Sequence, residues 1–310
     1  MATIWLVRLL CLGFGLTIGA PAAETVTQPF AGVTLIRRTE SSPRPVIIHL
    51  VKIDLGTPGL SFQLTPAVTG GKRETIRQTT LDFLNERHAQ LAVNAHFFVP
   101  WPSTEADSDL VGLAASEGRV YSGFEAPAQG YAIIADAPAI NIDASNRARI
   151  VHRAPARERG VQEDTALWTT IAGSAQIVTS GRATIPLYKD AANPLAALAP
   201  GGPGHYTNAN SWYAVPNART IAGIDRYAQT LILFTADNAG ESRGITVGEA
   251  AELLIRDYGV QNALNLDGGG STTLVMEDPA THAGRMVNAP SGGGSGRAVG
   301  SNLGVFVKPR

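Results

Sequence analysis

Along most of this chain the apolar residues fall in short runs rich in Val, Ile, Leu and Thr, and only two segments repeat with helical spacing. Runs of about four to eight residues bounded by turn-formers are built as strands. Val46 to Ile53, Leu91 to Asn94, Tyr131 to Ile134, Leu167 to Ala172, Ala175 to Thr179, Thr230 to Thr235, Ala263 to Leu266, Thr273 to Met276 and Leu303 to Val307 are the expected strands. One predicted helix runs from about Thr75 to His88, because Thr75 and Gln78 have capping-box spacing and Ile76, Thr80, Phe83 and Leu84 share a face. The other runs from about Thr246 to Tyr258. There Thr246 and Glu249 repeat the box, Val247, Ala250, Ala251, Leu254 and Tyr258 form a stripe, and Gly259 ends it. Strands outweigh helices, so the expected class is α+β, a single domain with mixed β-sheet and few helices. The stretch from Thr230 to Leu266 reads strand, helix, strand, the order of a right-handed crossover unit.

Compartment is legible at the amino end. Arg8 precedes an apolar stretch from Leu9 to Ile18, and Ala20-Pro21-Ala22 has the small-x-small pattern of a signal-peptidase site. Met1 to Ala22 therefore reads as a cleaved signal peptide, and the protein as periplasmic or secreted. The apolar stretch is about half of the roughly 20 residues needed to cross a bilayer, so no membrane contact is expected after cleavage. The sole cysteine, Cys11, lies inside that segment, which excludes disulfides, a Cys-based zinc site and a thiol nucleophile from a mature chain. Residues 23–90 read as a strand-rich extension with the first helix, and 91–310 as the domain that carries the chemistry. Loss of Arg8 moves the formal charge from −1 to −2, which gives no electrostatic footprint for nucleic acid.

The chemistry-bearing candidate is Leu266-Asp267-Gly268-Gly269-Gly270-Ser271-Thr272, where a carboxylate after a short apolar run meets three glycines and two hydroxyls. Asp-Gly between apolar strands also makes an ordinary hairpin. The run extends beyond the two residues a hairpin needs, however, and can turn several N–H groups toward an anion. It lacks the lysine of a nucleotide-binding loop. Arg219 and Arg297 could offer planar forks to a phosphate or carboxylate, or simply pair with a nearby acid. Asp237 ends an apolar run and reads either as a cleft carboxylate or as a turn with Asn238. Asn94 and His96 follow an expected strand, and His96 could serve as acid, base or phosphate donor. The other histidines lack zinc-ligand spacing, and no Gly-x-Ser-x-Gly elbow occurs. Two irregular stretches, Asp190 to Asn210 and Ser291 to Gly296, are expected surface loops.

In order, Ala218-Arg219-Thr220, Gly223-x-Asp225-Arg226, the run ending at Asp237, Arg243-Gly244-Ile245, Glu249-Ala250-Ala251-Glu252 and Asn262 to Ser271 resemble the phosphodiester glycosidase domain family of the mannose-6-phosphate uncovering enzyme and its bacterial relatives. Asn94-Ala95-x-Phe97-Phe98, Gly173 and Arg297 extend the resemblance to roughly Asn94 to Val307. It implies hydrolysis of a sugar-1-phosphodiester, in that family by removal of N-acetylglucosamine, with a sugar-phosphate diester or phosphorylated polysaccharide as partner. It marks Asn94, Arg219, Asp237, Asp267, Gly268, Gly269, Gly270, Ser271, Thr272 and Arg297 as the pocket. His96 stands where relatives usually carry a small residue, which predicts a narrowed pocket or a different sugar; the Asp190 to Asn210 loop is longer than the family requires.

A phosphate monoester leaves readily from a sugar C1, so such a site needs cations and N–H donors for phosphate and a carboxylate for the sugar side. Asp267 or Asp237 fills the second role, and the sequence does not choose between them. No cofactor and no required metal are expected. A non-catalytic polysaccharide-binding or envelope-assembly protein would use the same pocket without releasing sugar, and an ordinary glycosidase would turn the arginines to a sugar carboxylate.

Overall fold

The computed structural model describes residues 23–124, 130–158 and 160–308, so the expected signal peptide, Met1 to Ala22, lies outside the described residues. The described chain is mainly β, with two α-helices. An eight-stranded sheet runs in the order Ala23–Phe30, Val33–Glu40, Val46–Asp54, Thr230–Ala236, Arg219–Asp225, Val260–Asn265, Ala175–Thr179 and Arg182–Ala183. A five-stranded sheet orders Gly284–Met286, Leu274–Glu277, Leu91–Asn94, Asn302–Phe306 and Ser61–Leu64. A second five-stranded sheet and a small three-stranded one complete the β-structure.

The central strands explain why their sequences are continuously apolar. In Thr230–Ala236, Leu231 and Leu233 join a core shared with Leu91, Val93, Leu274, Leu303 and Val305 of the five-stranded sheet. Ile232 and Phe234, on the opposite face, join a core with Val247, Ala250, Ala251 and Leu254 of the second helix. Both faces are covered, so period-two alternation disappears from the sequence. Each such side chain contributes about 1.5–3 kcal/mol on burial.

The second helix, α2 (Val247–Tyr258), forms where expected. The Thr246 hydroxyl accepts from the Glu249 N–H, Glu249 accepts from the Thr246 N–H, and Gly259 ends the helix in the left-handed region at φ 67°. The first helix, α1 (Thr80–Arg87), starts later than predicted, capped by Thr79 on the Asp82 N–H. Thr75 and Ile76 instead pair with Ser108 and Asp107 as a short strand, and the Thr75 hydroxyl is buried against Ser108. Two overlapping cap signals compete here, and tertiary pairing selects the second. Tyr131 to Ile134 forms turns rather than a strand, and Ile134 donates only to the Ser174 carbonyl.

The expected mixed sheet is corrected as well. Every named ladder is antiparallel among the described residues. Thr230–Ala236 and Val260–Asn265 run parallel to each other, but Arg219–Asp225 lies between and pairs antiparallel with both. The strand–helix–strand order is present; its two strands never touch, because a tight hairpin supplies the nearer partner. Arg219 pairs with Ala236, and Ile221 with Asn265, so Arg219, Asp237 and Asp267 gather at one end of the eight-stranded sheet. No described helix is long and apolar enough to cross a membrane.

Candidate active site

At that sheet end the chain leaves Val260–Asn265 and closes a 3₁₀ turn over Gly269–Ser271. Asp267 donates its N–H to the Ala95 carbonyl at 3.0 Å, and its own carbonyl accepts from the Asn94 amide at 2.6 Å. The Asn94 side-chain oxygen accepts from the Thr220 hydroxyl at 2.8 Å and the Thr273 N–H at 3.1 Å. Asn94 is fully buried and spends its polar atoms on protein. It fixes the backbone of Asp267 instead of meeting a sugar, which corrects the direct-binding role expected of it.

The turn is less open to an anion than its glycines imply. The Gly269 N–H donates to the Ala218 carbonyl, Ser271 to that of Gly268 and Thr272 to that of Gly269. The Gly268 N–H bonds the Asp267 carboxylate. Gly270 is left, among the described residues, as the N–H of the run without a protein acceptor. Thr272 is buried, linked to Thr220 and Asn288. The glycines serve close approach: a Cβ on Gly268 would stand 3.0 Å from the Ala218 carbonyl, and one on Gly270 would stand 2.3 Å from Nη2 of Arg297.

A cavity of about 180 Å³ opens beside this turn, lined by Asp267, Gly268 to Gly270, Arg297 and Asn217, with walls from Phe97, Phe98, Trp101, Tyr131 and Trp212. Asp267 is its one lining carboxylate and Arg297 its one lining cation among the described residues. The Ser271 hydroxyl bridges the two: it hydrogen-bonds the Asp267 carboxylate and accepts from Nη1 of Arg297 at 3.3 Å. Burial pushes Asp267 up to about 7, against the pull of Ser271, the Arg297 charge and the Gly268 N–H. A carboxyl so placed exchanges its proton near neutrality.

The remaining expected residues lie apart from the cavity lining. Arg219 is 1% exposed and donates to the carbonyls of Ile245 at 3.3 Å, Trp212 at 2.9 Å and Val215 at 2.6 Å. Burial lowers its pKa to about 10, so it stays charged, and its guanidinium sits 4.3 Å over the Trp212 ring. It reaches the cavity only through that wall. Asp237 is likewise 1% exposed; it accepts from the Asn288 amide at 3.0 Å and the Ala289 N–H at 3.2 Å.

His96 is wholly buried. Its Nε2 lies 3.0 Å from the Ala172 N–H and 3.1 Å from the Leu113 carbonyl, and its Nδ1 lies 3.0 Å from the Ser301 hydroxyl. Burial holds its pKa down at about 4, so it is neutral. The expected narrowing of the pocket by His96 is therefore corrected: it ties together three chain segments. Sequence reasoning missed Trp101, Tyr131, Trp212 and Asn217; Phe98 both borders the cavity and belongs to the main core. A tryptophan between two prolines, in Val99-Pro100-Trp101-Pro102, was the one available hint, since an exposed indole serves binding more often than packing. No group of three or more His, Cys, Asp or Glu side chains able to hold a metal occurs among the described residues.

The sequence profile of the phosphodiester glycosidase family matches residues 87–306, and the chain belongs to that family. N-acetylglucosamine-1-phosphodiester alpha-N-acetylglucosaminidase of mouse is 55% identical over 62 residues and that of human 53% over 62, each match covering 20% of this chain and 12% of the relative. The chain thus aligns with about an eighth of those relatives' length. Among solved structures, the catalytic domain of the zebrafish enzyme, auto-inhibited by its pro-peptide, superposes with a TM-score of 0.59 at 18% identity over 94% of this chain and 89% of that one. A Burkholderia pseudomallei protein inferred to be exported gives 0.58 at 15% identity, covering 97% of this chain and 100% of its own. At these identities the structural likeness speaks for the fold alone.

Proposed function

We propose that the protein is an exported hydrolase that cleaves the glycosidic bond of a sugar-1-phosphodiester in a glycan or glycoconjugate. The chemistry is assigned to residues 91–310, and 23–90 supports them. The observation that carries the reading is the pairing of Asp267 and Arg297 through Ser271 within one aromatic-walled cavity. Aromatic walls suit the apolar faces of a sugar ring, and a guanidinium edge suits a phosphate.

Ordinary glycosidases use two carboxylates because a sugar alkoxide must be protonated as it leaves. A phosphate monoester leaves as a stabilised anion, so the acid is dispensable. One carboxylate then suffices. Asp267, ionised, stabilises positive charge developing at C1 and takes the proton from the attacking water; Arg297 and the Gly270 N–H balance charge on the departing phosphate. Asp237, sealed under Asn288 and Ala289, holds the loop behind the turn. On this reading Asp267, and not Asp237, carries the carboxylate role.

The test is incubation of the protein with a panel of sugar-1-phosphodiesters and teichoic- or capsular-type polymers, with released monosaccharide measured. Release that depends on Asp267 supports the reading. Saturable binding of these ligands without release would replace it with a glycan-binding role.

A further inference from the structure

Four side chains form a column that runs into the cavity: Arg77, Phe98, Trp101 and Arg297. The Arg77 guanidinium lies 5.1 Å from the Phe98 ring centroid. The Phe98 and Trp101 rings meet edge-on with centroids 6.0 Å apart. Arg297 lies 3.9 Å from the Trp101 centroid. Arg77 also donates to the carbonyls of Pro100 at 2.6 Å and Ser103 at 3.2 Å, which flank Trp101 in sequence. Trp101 itself is 43% exposed, so packing alone does not account for its place.

The column constrains a side chain that otherwise has many rotamers. Trp101 covers the face of the Arg297 guanidinium, the backbone of Gly270 lies too close for any Cβ, and the Ser271 hydroxyl takes Nη1. Stacking uses the planar face and leaves the N–H edge outward, the geometry that grips an oxyanion with two parallel bonds. We propose that Trp101 is a positioning residue that holds Arg297 edge-on to a phosphate group, and that this contact makes the pocket select phosphorylated sugars over neutral ones. The proposal rests on the reading of Arg297 as the phosphate ligand.

The experiment is calorimetric titration of wild type, Trp101→Phe, Trp101→Leu, Arg297→Lys and the Trp101→Leu/Arg297→Lys double variant. Inorganic phosphate, N-acetylglucosamine 1-phosphate and N-acetylglucosamine are the probes. Trp101→Leu should weaken both phosphate probes about 5- to 10-fold, the size of a partly desolvated cation–π contact, while Trp101→Phe keeps affinity within about 3-fold. Neutral sugar affinity should stay within about 2-fold in both. Arg297→Lys keeps the charge but loses the planar face, so its loss and that of Trp101→Leu should not add. Equal weakening of neutral and phosphorylated sugar would make Trp101 a sugar platform and overturn the proposal, as would unchanged phosphate affinity in Trp101→Leu or failure of wild type to bind either phosphate probe. Should Trp101→Leu not fold, the Arg297→Lys loss on phosphate against neutral sugar, with Phe rescue, decides in its place. Sugar release judges the hydrolase reading separately: phosphate binding with the expected pattern but no release would overturn that reading and leave Trp101 its role.

Discussion

Asp267 and Asp237 follow strands of the same sheet at the same end, and burial raises both, to about 7 and about 6. Their surroundings differ. Asp267 borders a cavity and shares the Ser271 hydroxyl with Arg297. Asp237 is enclosed: Asn288 and Ala289 occupy its oxygens, and the nearest histidine, His49 at 3.9 Å, is held neutral by burial that lowers it to about 4. A raised carboxyl pKa therefore marks burial in both places and function in neither by itself. Access separates the two: each feels an arginine charge, Arg297 at Asp267 and Arg37 at Asp237, but Asp267 alone of the pair borders the cavity.

Substitution tests that separation most severely at Asp267. Asp267→Asn should lower kcat/KM on a sugar-1-phosphodiester at least about 10²-fold, with a melting temperature no lower than that of wild type. Near wild-type turnover would erase the distinction between the carboxylates. Asp237→Ala should do the reverse: it strands the Asn288 amide and the Ala289 N–H, costing about 1–3 kcal/mol in denaturant unfolding, while the folded fraction turns over within about 3-fold of wild type. If that variant stays stable but inactive, Asp237 belongs to the chemistry after all.

The smallest effects concern pH. With Asp267 acting as its ionised form, kcat/KM should rise with pH and level off above about 7, and Asp237→Ala should leave that midpoint in place. Stability moves the other way. The folded pKa of Asp267 lies above its ordinary value near 4, so its contribution is complete below about pH 4 and is lost as pH rises through about 7. Asp267→Asn should therefore gain on wild type across that window, by about 1–2 kcal/mol after screening at the cavity mouth. A flat difference between the two would show that the carboxylate is not desolvated.

Legibility along the chain followed locality. The Thr246–Glu249 cap and the Gly259 stop of α2 are set within a few residues of backbone, and both were readable. Thr75–Gln78 was an equally good cap on paper; its failure depended on Ser108, some thirty positions away. Of the site, the Asp267 run and Arg297 were readable as a pattern. Asn94, Arg219 and His96 were marked as well, yet each proved to bind protein: a polar side chain has one vocabulary of hydrogen bonds, and sequence does not say whether a carbonyl or a sugar hydroxyl answers it. The aromatic walls were not readable, since an apolar ring buried in a core and one lining a pocket carry the same composition.

Sequence by itself determined the strand-rich class, the order of elements from Thr230 to Leu266, and the Asp267-glycine turn, because each follows from periodicity, caps or backbone freedom within a short window. Tertiary structure alone decided that Arg219–Asp225 separates the two strands of the strand–helix–strand unit, that Asp267 and not Asp237 meets the cavity, and that Trp101 stacks on Arg297. Those outcomes depend on contacts between residues far apart in the chain, whose free energy exists only once the sheet has brought them together.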